Sequence, residues 1–115
     1  MPITTLRKPQ INVKTTTLTT SATPTPTGDY FRNELIITAL AENTTISAPS
    51  GTAVAGNMIR VLITATGSTR TIAYNAALEA GNETRTTSLP AGSTLDQLYT
   101  YFDSAWICSF NNVTT

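Results

Sequence analysis

The side chains that could do chemistry in this sequence are seven carboxylates, one thiol and a few aromatic rings. Two facing carboxylates can hydrolyse a glycosidic bond as an acid and base pair. Asp96 and Asp103 bracket one apolar segment, but an odd separation places them on opposite faces of a regular strand. Glu79 and Glu83 fall in a polar stretch that we expect to be a loop. These acids are therefore predicted to be solvated surface groups.

The single thiol, Cys108, has no base to activate it, because the sequence contains no histidine. Histidine is the commonest general base and a usual ligand of zinc. Cys108 lies in a strand-like run, where a free cysteine is usually a small buried residue. One cysteine cannot form an intramolecular disulfide bond. The sequence therefore predicts a protein that is not an enzyme and that uses no cofactor and no metal ion.

Four aromatic residues near the C-terminus are candidates for the core or for a subunit interface: Tyr99, Tyr101, Trp106 and Phe110. Alternation along a strand places Tyr99 and Tyr101 on one face, and Leu98 and Phe102 on the other. This strand is apolar on both faces, so we expect it to be buried on both sides or covered on one side by another subunit. A platform of aromatic rings that binds sugars is the alternative.

The charge of the chain argues against two classes of partner. The formal net charge is zero, with seven basic and seven acidic residues, whereas binding to nucleic acid requires an excess of Lys and Arg. No stretch approaches the roughly 18 apolar residues of a membrane span. The first residues lack the apolar region of a signal peptide. We therefore expect no nucleic acid or membrane partner, and synthesis and assembly in the cytoplasm.

A length of 115 residues fits one domain. Threonine supplies about a fifth of the residues, and this β-branched residue favours strands. Period-2 alternation and turn residues divide the chain into short strands, expected at 34–41, 44–48, 58–66, 70–75, 94–102 and 105–110. Gly67-Ser68 is predicted to be a hairpin loop and Arg70 to brace a turn through backbone carbonyls. The expected fold is all-β, a small antiparallel β-sandwich or jelly-roll-like domain of about seven or eight strands.

Residues 1–28 differ from the rest of the chain. They carry three basic residues and no acid, and they end in a Pro/Thr-rich stretch that favours polyproline II. The sequence therefore predicts an extended N-terminal arm and linker over residues 1–28, followed by a β-sandwich body over residues 29–115. The residues expected to make the arm an assembly device are Arg7, Lys8, Ile11, Val13 and Lys14. The alternative is that the arm folds back as the first strand of its own body.

The body also carries a series of short motifs in a recognisable order. They read APSG at 48–51, GNMIRVLI at 56–63, RTIAYN at 70–75 and YTYFDSAW at 99–106. In order and spacing this series resembles a small β-module that recurs in the virion proteins of tailed bacteriophages, including tail fibres, tail spikes, head fibres and capsid-associated proteins. The resemblance spans roughly residues 30–110 and transfers no catalytic residue.

This resemblance implies a structural protein of the virion, assembled in the bacterial host cytoplasm and commonly a homotrimer. Its other partners would be virion proteins such as a major capsid or tail protein. Long fibres carry repeats beside such a module, and this sequence has no internal repeat. A capsid decoration, cement or head-fibre protein is therefore favoured. The alternative is a receptor- or carbohydrate-binding module of a tail fibre or baseplate.

Overall fold

The computed structural model describes residues 12–115, so Arg7, Lys8 and Ile11 of the predicted arm lie outside the described residues. Nine strands and no helix occur in this range. The strands are β1 (Val13–Leu18), β2 (Arg32–Leu40), β3 (Thr44–Ile46), β4 (Met58–Ala65), β5 (Arg70–Tyr74), β6 (Leu78–Glu79), β7 (Ser88–Leu89), β8 (Thr94–Phe102) and β9 (Ala105–Thr114).

The strands form two sheets. The large sheet has six strands in the order β1-β2-β4-β8-β9-β6, and the small sheet has three in the order β3-β5-β7. Their apolar side chains share one core, in which Ile46, Ile72 and Leu89 of the small sheet are fully buried with those of the large sheet. The predicted all-β domain is confirmed.

The prediction that the sheets are antiparallel is wrong. The pairs β1–β2, β2–β4, β3–β5 and β6–β9 are parallel, whereas β4–β8, β8–β9 and β5–β7 are antiparallel. Parallel neighbours need a crossover connection. Here the chain leaves the large sheet after β2, contributes β3 to the small sheet, and returns beside β2 as β4. Turn residues and alternation give strand positions but do not reveal such crossovers.

The connection after β4 also differs from the prediction. Gly67-Ser68 does not close a hairpin, because β5 leaves the large sheet and pairs with β3 and β7. The predicted role of Arg70 is confirmed. Its Nε and Nη2 donate to the carbonyl oxygen of Thr66 at 3.0 and 2.7 Å. These bonds hold the turn that redirects the chain between the two layers.

The closing hairpin is confirmed. Phe102 pairs with Ala105 across a two-residue turn. Asp103 and Ser104 have φ values of 54° and 65°, as a type I′ turn requires at its two central positions. The ladder is irregular between Leu98 and Tyr99, which pair with Phe110 and Cys108. Ser109 is the extra residue, and it lets Tyr99 and Cys108 share the buried face.

The described part of the arm belongs to the body. Strand β1 is an edge strand of the large sheet, and Val13 pairs with Arg32. Beyond β1, the carbonyl oxygens of Ala22, Pro24 and Pro26 accept backbone hydrogen bonds of 2.8 to 2.9 Å from residues 45, 47 and 50. A proline has no N–H but keeps its carbonyl, so this stretch can lie beside a neighbouring segment as an acceptor.

The boundary expected at Gly28 therefore does not coincide with a structural boundary. Pro24, Pro26 and Gly28 are buried. Gly28 also donates a 2.8 Å backbone hydrogen bond to Ser50. Over residues 12–28 the chain follows the alternative in which the arm folds back onto its own body. Composition alone does not distinguish an extended Pro/Thr-rich linker in solvent from an extended Pro/Thr-rich segment that is packed against a domain.

Candidate assembly surface

Among residues 12–115 no second layer lies over one face of the large sheet. Its opposite face, with Leu35, Val61 and Leu95, is buried beneath the small sheet. On the outer face apolar side chains are half-buried or exposed in the isolated chain, namely Ile36, Met58, Leu62, Leu98, Ile107 and Phe110. We call these six residues the outer apolar face. Single exposed apolar residues are ordinary, whereas a group on neighbouring strands indicates an interaction surface.

The pairing register brings these residues next to one another. Ile36 of β2 is the partner of Leu62 on β4, and Leu98 of β8 is the partner of Phe110 on β9. Leu62 and Leu98 lie on the paired strands β4 and β8, at diagonal positions. The other diagonal of this square joins Arg60 and Asp96, whose side chains therefore lie between Leu62 and Leu98. The outer apolar face thus draws residues from the four strands at the centre of the sheet and is divided by this charged pair.

One ion pair lies within this face. The Arg60 guanidinium donates from Nε and Nη2 to the two oxygens of Asp96, at 3.1 and 2.9 Å. The hydrogen bond to Asp96 raises the pKa of Arg60 above its ordinary value. Asp96 is therefore occupied in a forked contact between β4 and β8. Asp103 lies in the β8–β9 turn, so the structure does not bring the two acids together as a catalytic pair.

The edge of the sheet is a second exposed feature. Val13 is 51% exposed and Lys14 is exposed, both on edge strand β1. Thr15 donates a 2.9 Å hydrogen bond to Glu34 on β2. Among the described strands only β2 pairs with β1, so the other side of the β1 backbone is available for another strand. Of the predicted arm residues, Val13 and Lys14 therefore lie where a partner could add to the sheet.

The four predicted aromatic residues divide into two groups. Tyr99 is fully buried, Trp106 is 4% exposed, and Tyr101 is a half-buried neighbour of the core. The rings of Tyr101 and Trp106 are in contact, with centroids 5.1 Å apart. Phe110 is 46% exposed on the outer face. Three of the residues thus belong to the core and its margin, whereas Phe110 contributes to the exposed surface.

A buried polar network, which the sequence does not predict, joins the two sheets. Nε2 of Gln97 donates to the Tyr74 hydroxyl at 2.8 Å and to Oδ1 of Asn111 at 2.7 Å. The Tyr99 hydroxyl donates to Oε1 of Gln97 at 3.1 Å. The Tyr74 hydroxyl donates to the carbonyl oxygen of Thr86 at 2.6 Å. Polar groups in a core are stable only when they are paired in this way.

The network also holds the segment between β6 and β7. Nδ2 of Asn111 donates to the Thr86 hydroxyl at 3.0 Å, and Oδ1 of Asn111 accepts from the Thr86 backbone N–H at 3.1 Å. Nη1 of Arg85 donates to the carbonyl oxygen of Leu78 at 2.7 Å. The guanidinium lies over the Tyr74 ring, 4.1 Å from its centroid. A segment without regular structure is thereby fixed against the sheet.

Burial leaves the nucleophilic groups near this network protonated. It raises the pKa of Tyr74 to about 12, although the hydrogen bond from Gln97 and the charge of Arg85 oppose the change. Burial likewise raises the pKa values of Tyr99 and of the Cys108 thiol. Cys108 is 2% exposed, which agrees with its predicted place in the core. A buried thiol of raised pKa is a poor nucleophile.

A groove of about 500 Å³ opens at the end of the sandwich that carries the β8–β9 turn. Its walls come from the segment after β3, from the segment before β6 and from the hairpin. The lining includes Tyr101, Trp106 and five alanines. Among the described residues that line the groove, Glu79 is the only one with a charged side chain. The groove lies at the end of the two layers and not on the outer face.

Within residues 12–115 no three acidic, histidine or cysteine side chains come together as metal ligands, and no helix is present that could cross a membrane. Comparison of the chain with protein-family models, curated proteins and solved structures found no match. By its two sheets of mixed strand direction around one core, the chain is a two-layer, mixed β-sandwich.

Proposed function

We propose that this protein is a structural component of a bacteriophage virion, of the capsid decoration, cement or head-fibre type, which acts by assembling. The observation that carries the proposal is the outer apolar face on the central strands of the large sheet. The motif series resembling a virion β-module agrees with it. The partners are copies of the same chain, in a homotrimer, and another virion protein such as a major capsid or tail protein.

Self-association follows from the free energy of apolar burial. Removing apolar surface from water contributes about 25 cal/mol for each Å², and an obligate oligomer interface resembles a domain core cut in two. The six residues of the outer apolar face have a core on the inside of their sheet, and residues 12–115 supply no layer outside it. Contact with a sister subunit would supply the missing layer. Closed symmetry then limits the assembly to a small oligomer.

The Arg60–Asp96 pair is compatible with such an interface. A charge buried without a partner is strongly destabilising, whereas a paired and hydrogen-bonded one is tolerated. Both oxygens of Asp96 already accept hydrogen bonds within the subunit. A sister subunit can therefore cover this pair without having to supply an opposite charge.

Edge strand β1 offers a contact to a different partner. An extended segment of a capsid or tail protein could pair with its free side by strand addition. Lys14 on this strand would favour an acidic partner segment, as would Arg7 and Lys8, which lie outside the described residues. In this arrangement the sheet face makes the oligomer and the sheet edge attaches it to the particle.

Sedimentation of the purified chain at micromolar concentration tests self-association. We expect a trimer for the natural sequence and a folded monomer for Leu98→Lys, because the lysine would be buried without an opposite charge. Both oxygens of Asp96, the nearby acid, are already bonded to Arg60. Ala73→Lys is the matched control, since Ala73 is exposed on the small sheet. A monomeric natural sequence, or a Leu98→Lys variant that stays trimeric, would contradict the proposal.

Copy number in purified phage particles tests the place in the virion. Quantitative mass spectrometry should find hundreds of copies for a protein that decorates the capsid. About a dozen copies would instead support the tail-fibre or baseplate alternative, in which the module binds a receptor or carbohydrate. The groove beside Tyr101 is the feature that gives this alternative a physical basis.

A further inference from the structure

We infer that the groove at the end of the sandwich binds a neutral, hydroxyl-rich sugar of a glycan. The inference rests on the carbohydrate-binding alternative proposed above and names its site and its class of ligand. It is independent of assembly, because the groove and the outer apolar face are different surfaces. Small-molecule sites are concave, have volumes of about 300–1,000 Å³ and often lie at the open end of a β structure. A volume of about 500 Å³ falls within this range.

The groove combines an aromatic wall with open space. Tyr101 is half-buried, and its ring contacts that of Trp106. Five alanines in the lining leave room that larger side chains would fill. The apolar C–H face of a pyranose packs on an aromatic ring, and the phenol hydroxyl adds a polar contact at the edge of that ring. Tyr101 thus offers both kinds of contact that a sugar needs.

The structure fixes this wall from behind. A Cβ atom added to Gly28 would lie 2.8 Å from Cζ2 of Trp106 and 3.0 Å from Cβ of Pro49. The Trp106 ring therefore fits closely against the Gly28 backbone and cannot move in that direction. Asp103 and Ser104 close the hairpin in the tight turn described above. Rigid walls lower the entropy lost when a ligand binds.

The charges around the groove select the class of sugar. Glu79 lines it, and the Asp29 side chain packs against Gly51, whose added Cβ would lie 2.5 Å from Cγ of Asp29. No lysine or arginine of residues 12–115 belongs to the lining. Carboxylates accept hydrogen bonds from sugar hydroxyls and repel anionic groups. Neutral sugars therefore fit, and sialylated or phosphorylated sugars do not.

Nuclear magnetic resonance titration of the full-length protein tests the inference. The probes are four neutral disaccharides (lactose, maltose, mannobiose and chitobiose), with 3′-sialyllactose as the anionic comparison. At least one neutral disaccharide should shift backbone resonances within 48–53, 76–79 and 101–106, with little change elsewhere. No shift with any neutral probe at 20 mM, or equal binding of 3′-sialyllactose, would overturn the inference.

Matched variants assign the binding to the groove. Tyr101→Ala and Glu79→Gln should each weaken the best disaccharide about tenfold, as loss of a charged hydrogen bond or an aromatic contact does. Phe102→Ala and Glu83→Gln are the controls and should bind as the natural sequence does. Ala48→Trp should abolish binding by filling the groove.

Each variant is first checked for a dispersed spectrum. If Tyr101→Ala unfolds, the exposed positions Glu79 and Ala48 still decide the question. Full affinity in both Glu79→Gln and Ala48→Trp would overturn the assignment. Sedimentation of the same variants separates this inference from the proposed function, because a variant that loses the sugar but keeps the trimer leaves assembly intact.

Discussion

The Tyr74 hydroxyl accepts a 2.8 Å hydrogen bond from Nε2 of Gln97, which joins strand β5 of the small sheet to strand β8 of the large sheet. Gln97 is fully buried, and its side-chain amide makes hydrogen bonds to Tyr74, Asn111 and Tyr99. A core made only of apolar residues could slide, whereas directional hydrogen bonds require one arrangement of the layers. The network thus determines how the two sheets face each other.

Replacing Gln97 by Leu should lower the free energy of unfolding by about 2–4 kcal/mol. Leucine has a similar volume but leaves the Tyr99 hydroxyl without its acceptor, which costs about 1–3 kcal/mol. It also removes one of the two hydrogen bonds that Oδ1 of Asn111 accepts, at a further cost of about 1 kcal/mol. Urea denaturation measures the change. Asn112→Leu, at an exposed site on β9, is the control and should change stability by less than about 0.5 kcal/mol. Equal effects of the two substitutions would show that the network adds nothing.

Stability should fall at alkaline pH through the buried tyrosines. Burial raises the pKa of Tyr74 from 10.0 to about 12 and raises that of Tyr99 as well. Between pH 10 and 12 the unfolded chain therefore releases protons that the folded chain keeps. The folded state binds more protons in this window, so the free energy of unfolding decreases as the pH rises. Below pH 10 these groups contribute no pH dependence.

Denaturation with urea at pH 9 and pH 11 measures this loss. Tyr74→Phe should reduce the difference between the two pH values, because phenylalanine cannot titrate. The substitution also removes a hydroxyl with two partners, so stability at pH 9 is expected to be lower. A Tyr74→Phe variant with the full loss of stability between pH 9 and pH 11 would rule out Tyr74 as a source.

The sequence predicts strands well and their arrangement poorly. Alternation along 58–66 correctly places Ile59 and Val61 on the buried face and Arg60 and Leu62 on the other. Pairing direction depends on where the chain goes between strands, which local patterns do not contain. Gln97 was also missed, because an isolated glutamine on a strand is usually solvated.

The candidate surfaces could be predicted only in part. The sequence places apolar side chains on both faces of β8, and in the structure Tyr99 is buried whereas Leu98 on the other face is half-buried. The groove could not be predicted, because its walls come from three segments that only the fold brings together. The position of the Pro/Thr-rich segment could not be predicted either. Its carbonyl oxygens accept hydrogen bonds from residues 45–50, and only the folded chain brings these two segments together.

Gly28→Ala should destabilise the protein by about 1–3 kcal/mol, the usual cost of overpacking a close-packed site. The added Cβ would lie 2.8 Å from Trp106 and 3.0 Å from Pro49. Gly56→Ala is the comparison, because a Cβ there meets no atom within 4 Å and the cost is only the strain of its φ of 94°. In a flexible hinge, Gly28→Ala would instead increase stability. Thermal unfolding distinguishes an increase from a decrease.

Removing residues 1–20 should lower the free energy of unfolding by about 2–4 kcal/mol and promote aggregation. The deletion removes strand β1, its six register pairs with β2 and the packing of Leu18 on the core. Lost hydrogen bonds contribute about 1 kcal/mol each and lost apolar burial adds to this. It also leaves the longer β2 as a new exposed edge, and such edges pair with other chains.

Removal of residues 1–11 is the matched control, because it leaves β1 and every other described strand in place. We expect the shorter deletion to sediment as the full-length chain does and to keep most of its stability in urea denaturation. If it nevertheless abolishes binding to phage particles, the attachment role belongs to the segment with Arg7 and Lys8. If the two deletion variants have equal free energies of unfolding, the pairing of β1 with β2, including that of Val13 with Arg32, does not stabilise the body.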